Sequence, residues 1–248
     1  MRNLLSILFC LPFLFISCGS DDDDVITLKE SSKELKSGST YQIEATSGYD
    51  ITYTVENAYY ATVDTKGLVT ALRIGETKIK ISSNGEEKTF NVKVTPTSKL
   101  YEEPNLEFGI SRADLIKKLG KPEEETDESI IYTTASNAAP ITFYFFDLNK
   151  KLEQTGMLIS SVYSKDAATF LSERYVYVGV SDDETALLFI NNIAAEKATM
   201  LVAFMNSNSK DYYQVVYMPY THEKSMPETD SRYSKYTEAV DKYLSGLQ

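Results

Sequence analysis

The chain has 248 residues, with 36 Asp and Glu against 25 Lys and Arg, for a formal net charge of −11. A surface this acidic repels phosphate backbones and anionic head groups, which excludes nucleic acid as a partner. With one histidine, two cysteines and no tryptophan, multi-histidine metal sites are excluded, and any Ser-His-Asp triad would have to run through His222.

Met1-Arg2-Asn3 carries one positive charge and precedes Leu4 to Ile16, a stretch apolar apart from Ser6. It suits the h-region of a secretory signal and is shorter than the ~20 residues of a membrane-spanning helix. A buried first helix is the alternative reading, but no polar stripe breaks the run. The stretch ends Phe15-Ile16-Ser17-Cys18. It resembles a bacterial lipoprotein signal, with Phe15 in place of the usual Leu. The resemblance implies a leader over 1–17, after which Cys18 opens the mature chain and carries the lipid on its sulfur. The membrane is then a partner through the anchor at Cys18, and two or more acyl chains hold stably where one is marginal.

Four carboxylates follow at Asp21, Asp22, Asp23 and Asp24. They repel one another and stay solvated, so 18–24 reads as a lipidated cysteine and an acidic tether. Directly after a lipidated cysteine, the run resembles the export signal that sends Bacteroidetes lipoproteins to the outer face of the outer membrane. The expected location is the outer membrane, lipid-anchored and facing the cell exterior. A plain flexible spacer is the alternative; a calcium loop lacks the alternating ligand spacing. Losing a leader with one basic and no acidic residue moves the net charge from −11 to −12. Cys10 leaves with the leader and Cys18 carries lipid. No disulfide, thiolate metal site or cysteine nucleophile is then expected, and no cofactor.

From 25 to 96 the pattern is all-β. Ile51, Tyr53 and Val55 alternate with Thr52 and Thr54; Tyr41, Ile43 and Ala45 alternate upstream, and Phe90, Val92 and Val94 downstream. Period two over short runs separated by turns predicts half-buried antiparallel strands in a two-sheet sandwich. Asn84-Gly85 is the strongest hairpin signal, since both residues tolerate positive φ. Tyr59-Tyr60 is read as packing, one ring inward and one over a sheet edge, with a contact patch as the alternative. The phrases Ala61-Thr62-Val63-Asp64, Lys66-Gly67-Leu68-Val69-Thr70-Ala71 and Gly75-Glu76-Thr77-Lys78-Ile79 resemble the bacterial Ig-like group 2 domain. That resemblance implies an immunoglobulin-like sandwich, no catalytic residues, and a role as spacer or accessory in a surface protein.

From 97 to 248 the pattern predicts an α+β domain: an antiparallel sheet with helices on one face. Ser111 and Asp114 form a capping pair, Ile110 can staple against Leu115, and Gly120 and Pro122 end the helix. Leu115, Ile116 and Leu119 are its expected apolar stripe. Strands are expected at 129–133, 141–146 and 156–163, a second helix at 165–174 with Ala167, Ala168, Phe170 and Leu171 inward, and strands at 175–178, 185–190, 199–205 and 212–218. Helix-then-strands thus occurs twice, from Ser111 and from Lys165, which suggests an internal duplication. The run Gly109 to Glu124 followed by Ile141 to Leu152 resembles SmpA/BamE-like and β-lactamase-inhibitor-like modules, which implies a free sheet face that binds proteins. Beyond Pro227, a C-terminal helix at about 230–247 carries Tyr233, Tyr236, Val240, Tyr243, Leu244 and Leu247 at helical spacing. It is expected to dock on this domain; binding a partner is the alternative.

Glu123 to Glu125 with Asp127 and Glu128, and Asp182 to Glu184, are local hydrophilic runs. They read as solvated loops, not as carboxylates facing each other across a cleft. No nucleophile elbow, phosphate loop or zincin motif is present. No catalytic or metal residue is therefore assigned. The reading is a surface-exposed, lipid-anchored, non-catalytic binding or adhesion protein for a protein or glycan ligand. Its Ig-like module would be a stalk and its α+β module the contact surface, with Tyr212, Tyr213 and Tyr217 as candidate contacts. The alternatives are a periplasm-facing envelope-assembly lipoprotein that binds outer-membrane proteins, and a carboxylate-based glycan hydrolase.

Overall fold

The structure, a computed structural model, describes residues 25–181, 184–221, 240 and 243. The leader, Cys18, Asp21 to Asp24, Asp182, Asp183, His222 and all but Val240 and Tyr243 of the expected C-terminal helix lie outside the described residues. No helix among the described residues is long and apolar enough to cross a membrane.

The first module contains β1 (Thr27–Leu28), β2 (Ser32–Lys36), β3 (Thr40–Gln42), β4 (Ala45–Thr46), β5 (Thr52–Val55), β6 (Ala61–Val63), β7 (Leu68–Ala71), β8 (Gly75–Ser83) and β9 (Glu86–Thr95). One sheet runs β2-β9-β8-β5, a second β3-β7-β6, and β1 pairs with β4. Ile79, Ile81, Phe90, Val92 and Val94 of the first sheet meet Ala61, Val69 and Ala71 of the second in one core. This is the immunoglobulin-like sandwich that the alternation predicts. Asn84 and Gly85 take φ of 44° and 84°, and Ser83 pairs with Glu86 across the hairpin. Both central residues at positive φ match the twist of the flanking strands.

The second module contains α1 (Arg112–Leu119), β10 (Glu124–Glu125), β11 (Ser129–Thr133), β12 (Ile141–Phe146), β13 (Leu152–Ser160), α2 (Ser164–Ser172), β14 (Val176–Val180), β15 (Ala186–Ile190), β16 (Met200–Asn206) and β17 (Tyr212–Pro219). The Ser111 hydroxyl accepts from the Asp114 N–H at 3.1 Å and donates to the Asp114 carboxylate at 2.6 Å. Gly120, at φ 89°, donates its N–H to the Ile116 carbonyl and ends the helix. One eight-stranded sheet runs β10-β11-β12-β13-β17-β16-β15-β14. Each half is therefore a helix followed by a four-stranded meander. The two halves meet antiparallel along their last strands, with Gly156 opposite Val216. The doubled pattern in the sequence corresponds to this pseudo-symmetric sheet.

Both helices lie on one face. Leu115 packs with Ile130, Tyr144 and Phe146, and Phe170 and Leu171 pack with Met157, Ile159, Val202 and Val215. Tyr144 pairs with Thr155, and period two puts Thr155, Met157 and Ile159 on the same side. On the opposite face Phe143, Leu158, Leu188, Leu201 and Val216 cluster with Val240 and Tyr243. The Tyr243 ring sits edge-on to Phe143 at 5.7 Å. The free binding face implied by the SmpA/BamE-like resemblance is thus corrected: these positions are buried, with C-terminal residues packed on them.

Three local expectations are also corrected. Leu119 is 41% exposed, because Phe108, Ile110 and Ile116 pack against the Leu115 cluster instead. The third strand starts at Leu152 and stops at Ser160, where a 3-10 turn over Ser161–Tyr163 leads into α2. Its early start follows from a tight β12–β13 turn, in which Asp147 accepts from the N–H groups of Asn149 and Lys151 and Lys150 takes φ 57°. Finally, Glu124 and Glu125 are not loop residues, since they pair with Ile131 and Ile130 at the sheet edge.

Candidate functional site

The three tyrosines proposed as contacts do not share a surface. Successive residues of β17 point to opposite faces, so Tyr213 packs on the helix-bearing side and Tyr212 on the other. Both are half-buried, and the Tyr213 ring lies 5.2 Å from Phe204. Tyr217 is fully buried and is corrected from ligand contact to core residue. Its hydroxyl shares a 2.9 Å hydrogen bond with that of Tyr101, and its ring meets Tyr175 edge-on at 6.1 Å. The reason is that β17 is a central strand, covered on both faces. Three exposed apolar side chains, Tyr177, Val178 and Val180, lie instead on the edge strand β14.

The two modules are joined by a polar contact at the end of α2. Glu173 is buried at 4% exposure. Its carboxylate accepts from the Thr97 N–H at 2.9 Å, the Ser98 N–H at 3.1 Å and the Thr97 hydroxyl. Its backbone carbonyl accepts from the Ile74 N–H at 2.8 Å. Arg174 stacks on Phe170, with its guanidinium 3.4 Å from the ring centroid, and its carbonyl accepts the Tyr59 hydroxyl. Arg73 lies over the other side of that contact, 5.1 Å from the Tyr59 centroid. Gly75 is required here: at φ 145°, a Cβ would fall 2.2 Å from the Tyr60 ring. Tyr59 and Tyr60 are therefore packed residues, with Tyr59 bridging the modules.

Replacing Glu173 with alanine strands the Thr97 and Ser98 donors, and we expect a loss of about 1–3 kcal/mol in unfolding free energy. Urea denaturation would check this. An unchanged midpoint would mean that the carboxylate does not hold the linker.

Glu173 also shapes a cleft, because Thr97 and Ser98 form one of its walls. The cleft has a volume of about 560 Å³, and its other walls are the loop after β11 and one side of α2. Its backbone is firmly tied. The Ser136 hydroxyl accepts from the Ala138 and Ala139 N–H groups at 3.2 and 3.1 Å and donates to the Leu100 carbonyl at 3.4 Å. The Ser160 N–H closes the loop onto the Ala138 carbonyl at 2.9 Å. Around this frame stand Lys99, Asn137, Tyr163 and Asp166. Lys99, Asn137 and Asp166 are exposed, and the Tyr163 ring rests half-buried on the α2 core. None of these four side chains has a hydrogen-bond or ion-pair partner among the described residues. The arrangement offers one cation, one anion, an amide, a phenol and hydroxyls to a polar guest. The cleft is not legible in the sequence: its groups come from three segments of ordinary polar composition, and no spacing announces them.

The acidic run near α1 is differently occupied. Glu123, Glu124, Glu125, Asp127 and Glu128 are all exposed, and Glu125 pairs with Arg112 at 3.0 Å. Among the described residues, no group of three His, Cys, Asp or Glu side chains could hold a metal ion.

Residues 22–94 match the family model of the bacterial Ig-like domain (group 2). No curated protein matches the chain. Among solved structures, an intimin mutant from EHEC O157:H7 is similar at 16% identity, over 78% of this chain and 98% of that one, with a TM-score of 0.26. Domains 5–6 of the S-layer protein SbsC are similar at 13% identity over 81% and 86%, with a TM-score of 0.25. SGBP-B of the Bacteroides ovatus mixed-linkage glucan utilization locus, solved with a mixed-linkage heptasaccharide, is similar at 10% identity over 80% and 61%, with a TM-score of 0.26.

Proposed function

We propose that this chain, whose residues 22–94 form a bacterial Ig-like domain of group 2, is a lipid-anchored, surface-exposed binding protein without catalytic activity. Cys18 carries the lipid, Asp21 to Asp24 act as tether and export signal, and the Ig-like module is a stalk. The α+β module makes the contact with a protein or glycan ligand. One observation carries the binding role: the cleft beside the module joint, where Lys99, Asn137, Tyr163 and Asp166 stand unpaired around a tied backbone. The tied backbone needs no rearrangement, and the unpaired polar side chains leave donors and acceptors free for a polar guest. An Ig-like domain of this family brings no catalytic residues of its own.

Protease shaving of intact cells tests the anchoring and orientation. The native protein should be cut, and a variant with Asp21 to Asp24 changed to alanine should be protected until lysis. If both are protected in intact cells and cut only after lysis, the aspartates are a spacer and the protein faces the periplasm. That outcome would replace this reading with the envelope-assembly one.

A further inference from the structure

We propose that the cleft between the linker and α2 binds an uncharged oligosaccharide; this rests on the binding role above and names its ligand class. The cleft volume of about 560 Å³ lies within the ~300–1,000 Å³ usual for small-ligand sites. The chemistry of the walls narrows the guest. Lys99 and Asp166 carry opposite charges, so the lining side chains hold no excess of one sign. The chain as a whole, at −11, opposes anions such as phosphates and acidic glycans. The unpaired side chains are polar and mixed: Asp166 accepts, Lys99 donates, and Asn137 and the Tyr163 phenol do both. A ring bearing several hydroxyls, each donor and acceptor at once, can meet all four, whereas an aliphatic or purely aromatic guest would leave them unpaired.

The Tyr163 ring adds a second kind of contact. Held against the α2 core, it offers a rigid apolar surface beside the polar groups, which suits the C–H face of a pyranose. The cleft is open at its mouth, so it leaves room for a guest larger than one ring. A peptide strand fits less well. Extended peptides are captured mainly through main-chain pairing along an exposed strand, and the walls here are a linker, a loop closed on itself by Ser136 and the side of a helix.

The test uses the purified full chain in detergent, offered to a printed array of gluco-, manno-, xylo- and galacto-configured oligosaccharides, alongside acidic oligosaccharides and random peptides. The native protein should be retained on at least one uncharged series. Asp166→Ala and Asn137→Ala should each weaken that retention about tenfold, the equivalent of one lost hydrogen bond at about 1.4 kcal/mol. Asn137 is exposed and unpaired, so Asn137→Ala should leave the thermal midpoint in place; Asp166→Ala should lower it only slightly, because its charge sits in the first turn of α2; a Lys99→Ala variant tests the third wall independently. Retention on no uncharged series, or retention that the three variants leave unchanged, would overturn the proposal. Preference for acidic oligosaccharides or peptides would overturn the ligand class while leaving a binding role standing. Because the array uses purified protein, its result is independent of which side of the membrane the protein faces.

Discussion

Changing Tyr217 to alanine should cost about 3–5 kcal/mol of unfolding free energy, the range for emptying a fully buried aromatic site. The ring is completely buried. It lies at the centre of the eight-stranded sheet, with Thr155 paired on one side and Val202 on the other. Tyr217→Phe should cost much less, about 1–2 kcal/mol, because it keeps the packing and removes only the hydrogen bond to the Tyr101 hydroxyl. Urea denaturation of the three proteins would establish the order. A loss below about 1 kcal/mol for the alanine variant would contradict the burial. Ligand retention lost without a loss of stability would instead return Tyr217 to a contact role.

Stability should also fall steeply above pH ~10, through the same cluster of tyrosines. Burial is the leading cause at each one. It pushes Tyr59 up to about 12 and raises Tyr101, Tyr175 and Tyr217 further. Around Tyr175 the Glu103 carboxylate, which accepts its hydroxyl, adds to the rise. The unfolded chain titrates its phenols near pH ~10. Above that value it sheds protons that the folded chain keeps, so unfolding becomes easier as pH rises. The stability is fully present below pH ~10 and is lost as pH climbs toward the folded values. Each such phenol removes up to about 1.4 kcal/mol per pH unit. Four together remove about 5 kcal/mol by pH ~11, comparable with the ~5–15 kcal/mol that holds a typical domain. Denaturation midpoints should therefore be level from pH ~8 to ~9.5 and collapse beyond ~10.5. A double Tyr101→Phe, Tyr217→Phe variant should lose the effect of two groups. Midpoints that stay level to pH ~11.5 would show that these hydroxyls are not shielded.

Glu173 links the cleft to the joint between the modules. Its carboxylate fixes Thr97 and Ser98, which are both the start of the linker and a wall of the cleft. A guest in that cleft would thus touch the segment that connects stalk to contact module.

Much of the fold was legible in the residues because the signals are local. The capping pair Ser111 and Asp114 with Gly120 marks α1 to within a residue, since the Ser111 hydroxyl and the Gly120 N–H bond to backbone groups one turn away and the Asp114 carboxylate holds that hydroxyl. Asn84-Gly85 marks the β8–β9 hairpin for the same reason. Short apolar and aromatic runs mark β11 and β12 at their observed bounds, and the doubled helix-then-strands order anticipated two similar halves. In the first module, period two also identified the buried face, because each sheet there has one side on the core.

Burial in the second module depended on partners far along the chain. Strand β17 reads Tyr212-Tyr213-Gln214-Val215-Val216-Tyr217-Met218 and is aromatic or apolar on both faces, and α2 covers one face while Val240 and Tyr243 pack on the other. The segments that bury Tyr217 are thus far from it along the chain. The same distance hides the cleft. Lys99, Asn137 and Asp166 belong to three segments, and only the return of α2 onto the linker, tied by Glu173, brings them together. The sequence by itself determined the kinds of element, their caps and turns, and the division into a sandwich and a helix-bearing sheet, because those follow from backbone chemistry over a few residues. Which face is buried, which edge stays free and which polar groups are left without a partner were decided only by the tertiary structure, because burial is set by whatever packs on a surface and not by the residues that form it.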